Sequence, residues 1–252
     1  MTTTYFHEPR PTSTNMSTPQ RVLAVGAHPD DIEFGCGATL AKWSQTGAEI
    51  TIAILTDGSK GTWDPASNPT ALALVRQGEA RKAAGTLASK AGVEFLGWTD
   101  GELVAGDRAT AQICHLIRKY RPEVVIGHDP WKRYRLHPDH RAAGFIVTDS
   151  VVAARDPHFL PELGLHHRPQ TVLLFEADEA NHFETFGELQ LRTKIESLLC
   201  HRSQHESSME ISSGSEQSQV SKFRETVRIG AETIGAICHD ELAEAFHLIN
   251  AE

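Results

Sequence analysis

Two short stretches of the chain put imidazoles and carboxylates at spacings that suit a metal ion. In AHPDD, residues 27–31, His28 stands three residues before Asp31, with Asp30 beside it. One imidazole nitrogen and one carboxylate oxygen are both zinc donors, but two are too few. The second stretch, HPDH, carries His137, Asp139 and His140. Either histidine completes a set of two His and one Asp, which leaves the other beside the metal with a carboxylate one or two residues away to orient it. Three protein donors and an open fourth position are the catalytic arrangement of zinc, since structural sites close with four protein ligands.

Each stretch also has a plainer explanation. Asp30 or Asp31 would cap a helix beginning near Ile32, and Asp139 would lie in the first turn of an exposed helix. A dinucleotide loop fits poorly, because Gly26, Gly35 and Gly37 do not form Gly-x-Gly-x-x-Gly and two carboxylates would oppose a pyrophosphate.

These loops need a scaffold, and the hydrophobic pattern supplies one. Apolar runs at 21–26, 49–56, 93–98, 123–128 and 171–177 alternate with amphipathic stretches near 38–47, 70–90, 107–120, 139–154, 185–202 and 216–237. Buried parallel strands separated by crossover helices produce that alternation. The expected fold is α/β: a Rossmann-like, doubly wound, mostly parallel sheet with helices on both faces, whose ligands bind at the carboxyl ends of the strands. AHPDD follows the first predicted strand and HPDH follows the fourth. His128 and Asp129 close the fourth strand, either as partners of the site or as an exposed strand end. Residues 1–20, rich in Thr, Ser and Pro, are expected as a flexible tail, with one domain over 21–252. The serine-rich stretch 205–219 is expected as a mobile surface loop.

Composition narrows the partners. With 40% hydrophobic and 23% charged residues the chain reads as an ordinary globular protein with no membrane span. A formal net charge of −9 without a basic cluster argues against nucleic acid. Four widely spaced cysteines and no signal-peptide core suggest reduced thiols in a cytoplasmic protein.

Taken together, AHPDD, RQGE with Arg76 and Glu79, FLGWTDGEL, HPDH and the late HRSQ at 201–204 resemble the zinc-dependent LmbE-like or PIG-L de-N-acetylases. The resemblance spans about residues 21–205. It implies Zn2+ held by His28, Asp31 and His140, and Asp30 as general base. His137 would stabilise an oxyanion or act as acid, oriented by Asp139, and Arg76 would line the substrate pocket. It further implies a small-molecule N-acetylated sugar, or its conjugate, as substrate, and self-association into homo-oligomers. Many members carry Glu directly after the second Asp, whereas here Ile32 intervenes and the carboxylate comes at Glu33. Amide hydrolysis suits these residues, because zinc lowers the pKa of water from about 15.7 toward 7 and polarises a carbonyl. A neighbouring carboxylate accepts the proton, a protonated His137 meets the oxyanion, and either Asp30 or His137 protonates the leaving amine. The alternatives within reach of the sequence are an amidase for a larger thiol-sugar conjugate or natural-product intermediate and, in a different class, a non-hydrolytic cofactor-binding module.

Overall fold

The computed structural model describes residues 12–88, 90–212 and 216–251. In chain order the elements are β1 (Ser13–Thr14), β2 (Arg21–Gly26), α1 (Asp31–Gln45), β3 (Glu49–Thr56), α2 (Pro69–Leu87), β4 (Gly92–Trp98), α3 (Asp107–Tyr120) and β5 (Val124–His128). There follow α4 (Pro138–Arg155), β6 (Thr171–Phe175), β7 (His182–Thr185), α5 (Glu188–Leu198), α6 (His205–Met209), α7 (Glu216–Ile237) and β8 (Ala243–Asn250). One sheet takes the order β1-β7-β8-β6-β5-β2-β3-β4. All its pairings are parallel except those of β8, which runs antiparallel to both β6 and β7.

Alternation along β2 divides the core. Leu23 and Val25 pack with Ile113, Ile117, Ile146 and Val147 of α3 and α4, while Val22 and Ala24 pack with Leu40, Trp43, Ala80 and Ala84 of α1 and α2. The doubly wound expectation therefore holds. Strand order reverses between β2 and β5, which is where a crevice opens at the carboxyl ends in such sheets.

Three features differ from the sequence expectation. β7 and β8 extend the sheet beyond the five predicted strands. Part of the expected tail is bound to the sheet edge: β1 pairs with β7, the Ser13 hydroxyl lies 2.8 Å from His182 Nδ1, and the Met16 amide donates to the buried Glu184 carboxylate at 2.9 Å. Residues 1–11 of that stretch lie outside the described residues. The serine-rich stretch is held in part as well, because Met209 and Ile211 are buried against Leu198 and Phe223; residues 213–215 lie outside the described residues.

Helix α1 breaks its pattern at Cys36, whose φ of −149° is non-helical. The preceding residue is packed tightly, where a Cβ on Gly35 would stand 2.5 Å from the Phe175 ring. The break frees two amides inside the protein, and Glu244 of β8 takes them: Ala38 N–H and Thr39 N–H donate to its oxygens at 3.1 and 2.8 Å. Lys194 of α5 closes the pair at 2.6 Å. Replacing Glu244 with Ala strands the Lys194 cation and two amides in the interior, so urea denaturation should register a loss of about 3–5 kcal/mol. A loss below 1 kcal/mol, the range of an ordinary surface pair, would refute that account.

Candidate metal centre and active site

The loop after β2 is fixed at its root by Thr56, whose amide and hydroxyl both donate to Ala27 O at 2.8 Å. It then turns sharply at Asp30. With φ of 110°, Asp30 sits in the left-handed region that an L side chain rarely adopts. It occupies the N-cap position of α1 yet makes no capping hydrogen bond, so the helix-cap explanation fails for this residue. Asp31 does not cap the helix either; its Oδ2 accepts the His28 amide at 2.7 Å, closing the loop on itself.

The turn brings three donor side chains together. His28 Nδ1 lies 3.2 Å from His140 Nε2 and 3.4 Å from Asp31 Oδ2, and His140 Nε2 lies 3.3 Å from Asp31 Oδ1. Donors bonded to one tetrahedral ion at about 2.0–2.2 Å stand roughly 3.3–3.6 Å apart. The imidazole nitrogens and the two Asp31 oxygens, one facing each ring, stand close to that spacing. Overlapping clusters surround them: His137 with His28 and His140, His128 with Asp31 and His140, and Asp100 with His28 and Asp139.

The far side of His28 explains its orientation. Its Nε2 faces Asp100 Oδ1 and Asp139 Oδ2, each at 3.2 Å. Carboxylates there turn Nδ1 toward a metal and make it more basic. Asp139 is completely buried and accepts the Gly101 and Leu103 amides at 2.6 and 3.1 Å. This corrects the expected role of Asp139. Its side chain orients His28, because the amides of the β4–α3 turn draw it that way, and His137 Nδ1 receives the Asp139 main-chain N–H instead, at 3.3 Å. Asp100 is fixed by the Lys60 amide at 3.0 Å, while its own N–H donates to Asp57 at 3.1 Å.

Sequence reasoning gives Asp100 no role, although it lies inside FLGWTDGEL, and it leaves His128 open. His128 is only 1% exposed, stacks on His140 with ring centroids 4.4 Å apart, and places Nε2 3.1 Å from Asp31 Oδ2. Arg135 and Glu176 carry no sequence signal. Arg135 donates to His140 Nδ1 at 2.7 Å and pairs with Glu176 at 2.6 Å. Asp129 accepts the Trp131 amide at 2.9 Å and so shapes its own loop.

The charges at the site are strongly coupled. Burial pushes His28 toward neutrality, but Asp100, Asp139 and Asp31 more than reverse it and raise its pKa well above the ordinary value. Burial would raise Asp31, yet His128 and His140 hold it well below the usual carboxylate range. Asp30 goes the other way. Burial lifts it, Arg76 opposes, Asp31 adds repulsion, and its pKa is pushed up to about 6. Burial and the neighbouring His28 and His140 lower the pKa of His137.

Arg76 is nearly buried and spends its guanidinium on the loops themselves. It donates to Gly58 O at 2.9 Å and Pro29 O at 2.6 Å, and it stands 3.5 Å from Asp30 Oδ1. It therefore braces the Asp30 turn from behind, which adds to the expected place in a pocket wall. Gly61 is required beside it, since a Cβ there would fall 2.2 Å from Nη1. A cavity of about 890 Å³ lies elsewhere, along α7 and β8, and meets the site at Glu176. No helix among the described residues is long and apolar enough to cross a membrane.

The same segments recur in known proteins. A diacetylchitobiose deacetylase of Thermococcus kodakarensis is 34% identical over 189 residues, covering 73% of this chain and 70% of that protein. A 1D-myo-inositol 2-acetamido-2-deoxy-alpha-D-glucopyranoside deacetylase of Streptomyces avermitilis is 32% identical over 173 residues, 58% of this chain and 57% of its own length. The chain thus spans little more than half of that relative. Among solved structures, the N,N'-diacetylchitobiose deacetylase from Pyrococcus horikoshii complexed with its inhibitor MPG superposes with a TM-score of 0.82 at 27% identity, over 92% of this chain and 85% of that one. The family described as PIG-L, GlcNAc-PI de-N-acetylase, matches residues 23–151. That span begins in β2 and ends in α4, so it contains His28, Asp30, Asp31, Arg76, Asp100, His128, His137, Asp139 and His140, and the chain belongs to the PIG-L, or LmbE-like, family.

Proposed function

We propose that the protein is a zinc-dependent hydrolase that removes the acetyl group from an N-acetylglucosamine-containing sugar or its conjugate, with His28, Asp31 and His140 as the metal ligands. The observation that carries this reading is the meeting of three donor residues, with the two imidazole nitrogens 3.2 Å apart and each 3.3–3.4 Å from one oxygen of Asp31, beside an uncapped carboxylate, Asp30, on the same turn. Two nitrogens and one oxygen form a borderline-soft donor set suited to zinc, and three ligands leave one position open. Zinc held there supplies Lewis acidity toward the amide carbonyl and makes water acidic near neutral pH.

The remaining steps belong to the side chains. Asp30 accepts a proton from the attacking water; a pKa near 6 leaves it mostly ionised at pH 7 yet basic enough to take that proton. Addition of the water oxygen to the carbonyl carbon gives a tetrahedral species with a negative oxygen. His137 meets this oxygen as a neutral donor. Its Nδ1 accepts the Asp139 N–H, so its own proton sits on Nε2, and its lowered pKa removes the need for a cation. Asp30 then passes its proton to the nitrogen, the C–N bond breaks, and acetic acid and the free amine form, the acid's remaining proton passing on to the amine in solution to leave acetate and an ammonium group. The proton count closes on one carboxylate, which assigns the amine's proton to Asp30.

This role for His137 has a direct check. His137→Ala should lower kcat roughly a hundredfold to a thousandfold, the usual worth of one oxyanion donor. His137→Gln, a neutral donor, should recover part of that loss; equal rates for the two variants would refute the donor role. The function itself is tested by acetate release from a panel of N-acetylated amino sugars with zinc-loaded protein. Release from N-acetylglucosamine-containing members supports it, and no release from any member by fully loaded protein would overturn it.

A further inference from the structure

Two elements of the sequence resemblance take no part in the reaction just described: Glu33, displaced by one position from the family pattern, and HRSQ at 201–204. The structure brings them together. His201 follows α5, is completely buried, and has a hydrogen-bond partner on neither ring nitrogen among the described residues. Its nearest acidic group is Glu33, with Nε2 to Oε1 at 3.5 Å, at the outer limit of a hydrogen bond and within ion-pair range. Glu33 is 3% exposed and lies one helical turn beyond Asp30.

The rest of HRSQ locks this histidine in place. Ser203 gives its amide and hydroxyl to Glu79 of α2, at 2.9 and 2.6 Å. Gln204 donates to Gly61 O at 2.9 Å, on the loop that also carries Gly58, an acceptor of Arg76. Glu79 stands three residues after Arg76, so the segment is fastened to the helix and the loop that brace Asp30. The charge on His201 fits this position: burial opposes it, and Glu33 and then Asp30 outweigh burial despite Arg76.

The Asp30 turn needs such support. A left-handed aspartate at a helix start costs of order 1–3 kcal/mol and persists only where its surroundings enforce it. Left alone, its carboxylate would relax onto the amides of its own first helical turn, as N-cap aspartates do. Arg76 holds the loop carbonyls on one side. On the interior side, the buried Glu33 follows Asp30 by three residues in α1 and faces the buried His201 at 3.5 Å.

We infer that His201, paired with Glu33, is a positioning residue that backs Asp30 from the protein interior and keeps its carboxylate off the helix amides and toward the reacting water. The inference rests on Asp30 being the base. Among the described residues His201 has an ion-pair contact with Glu33, so the proposed route to the rate runs through Glu33 and Asp30.

The test is a comparison of backgrounds, made on the full chain with zinc content and melting temperature measured throughout and N-acetylglucosamine-containing substrate as probe. In the wild-type background His201→Gln should keep full zinc, leave KM within about twofold, and lower kcat roughly tenfold to a hundredfold, the cost of about an ångström of misplacement. In an Asp30→Asn background the same substitution should change kcat less than twofold, since no base remains to be positioned. An equal loss in both backgrounds, or none in the wild type, would overturn the inference. If His201→Gln fails to fold, Glu33→Gln makes the same comparison from the other half of the pair. Full kcat in Asp30→Asn alone is a separate outcome: it removes the base assignment, and the inference with it.

Discussion

Asp30→Asn is expected to keep its zinc and lose its activity. The two neighbouring aspartates differ in what they touch. The Asp31 carboxylate faces the His28 and His140 nitrogens, whereas the Asp30 side chain lies against Arg76 and makes no capping hydrogen bond to its helix. Asparagine preserves shape and one oxygen but cannot accept a proton. A positioned base contributes about a hundredfold to ten-thousandfold, or 3–5 kcal/mol of barrier, and kcat should fall by that amount. Zinc content by elemental analysis should stay at the wild-type level. The competing account, in which Asp30 serves only as a helix cap, expects near-silence, because asparagine caps as well as aspartate. That account already lacks its hydrogen bond. A zinc-loaded, fully active Asp30→Asn protein would nevertheless end the assignment of Asp30 as base.

How much of the fold and the site is legible in the sequence depends on the distance over which each feature is encoded. β2, β3, β5 and β6 are continuous apolar runs because helices cover both sheet faces, and a run of that kind identifies itself. β7 and β8 carry His182, Glu184 and Glu244 into the interior, the two carboxylates matched by Lys42, Lys194 and buried amides and His182 set between Glu184 and the Ser13 hydroxyl. Local patterning cannot distinguish a buried polar strand from a loop, so neither strand is visible in it. The proposed metal donors are candidates from sequence because His28 and Asp31 fall on one turn and His140 on another, at ends of strands that the expected fold already makes neighbours. Asp100 and His128 are single residues whose roles exist only in three dimensions. Asp139 is legible as a residue of the site but not in its partner: sequence proximity points to His137, while the Gly101 and Leu103 amides, far away in the chain, turn its carboxylate to His28.

The same geometry ranks the residues by their hold on the metal, and the largest loss is expected at the ligands. His140→Ala removes one of three donors and leaves His28 and Asp31, so zinc affinity in chelator competition should drop by well over a hundredfold and acetate release should vanish with it. Asp139→Asn acts one bond further out. It leaves all three donors but weakens the carboxylate pair that turns Nδ1 of His28 inward, for which about tenfold to a hundredfold in affinity is the usual cost. Asp30→Asn should cost almost nothing. The order His140→Ala, then Asp139→Asn, then Asp30→Asn therefore separates donor, orienting carboxylate and base by one measurement that does not depend on turnover. His128 supplies the competing possibility, since its Nε2 already stands 3.1 Å from Asp31 Oδ2 and could serve as third donor once His140 is gone. Its Nε2 is already shared between the Asp31 carboxylate and the Ala27 amide, at 3.1 and 3.4 Å, and its ring stacks against His140, which makes it the poorer donor. Full zinc retention in His140→Ala, abolished only by adding His128→Ala, would reverse that ranking and move the third ligand to the end of β5.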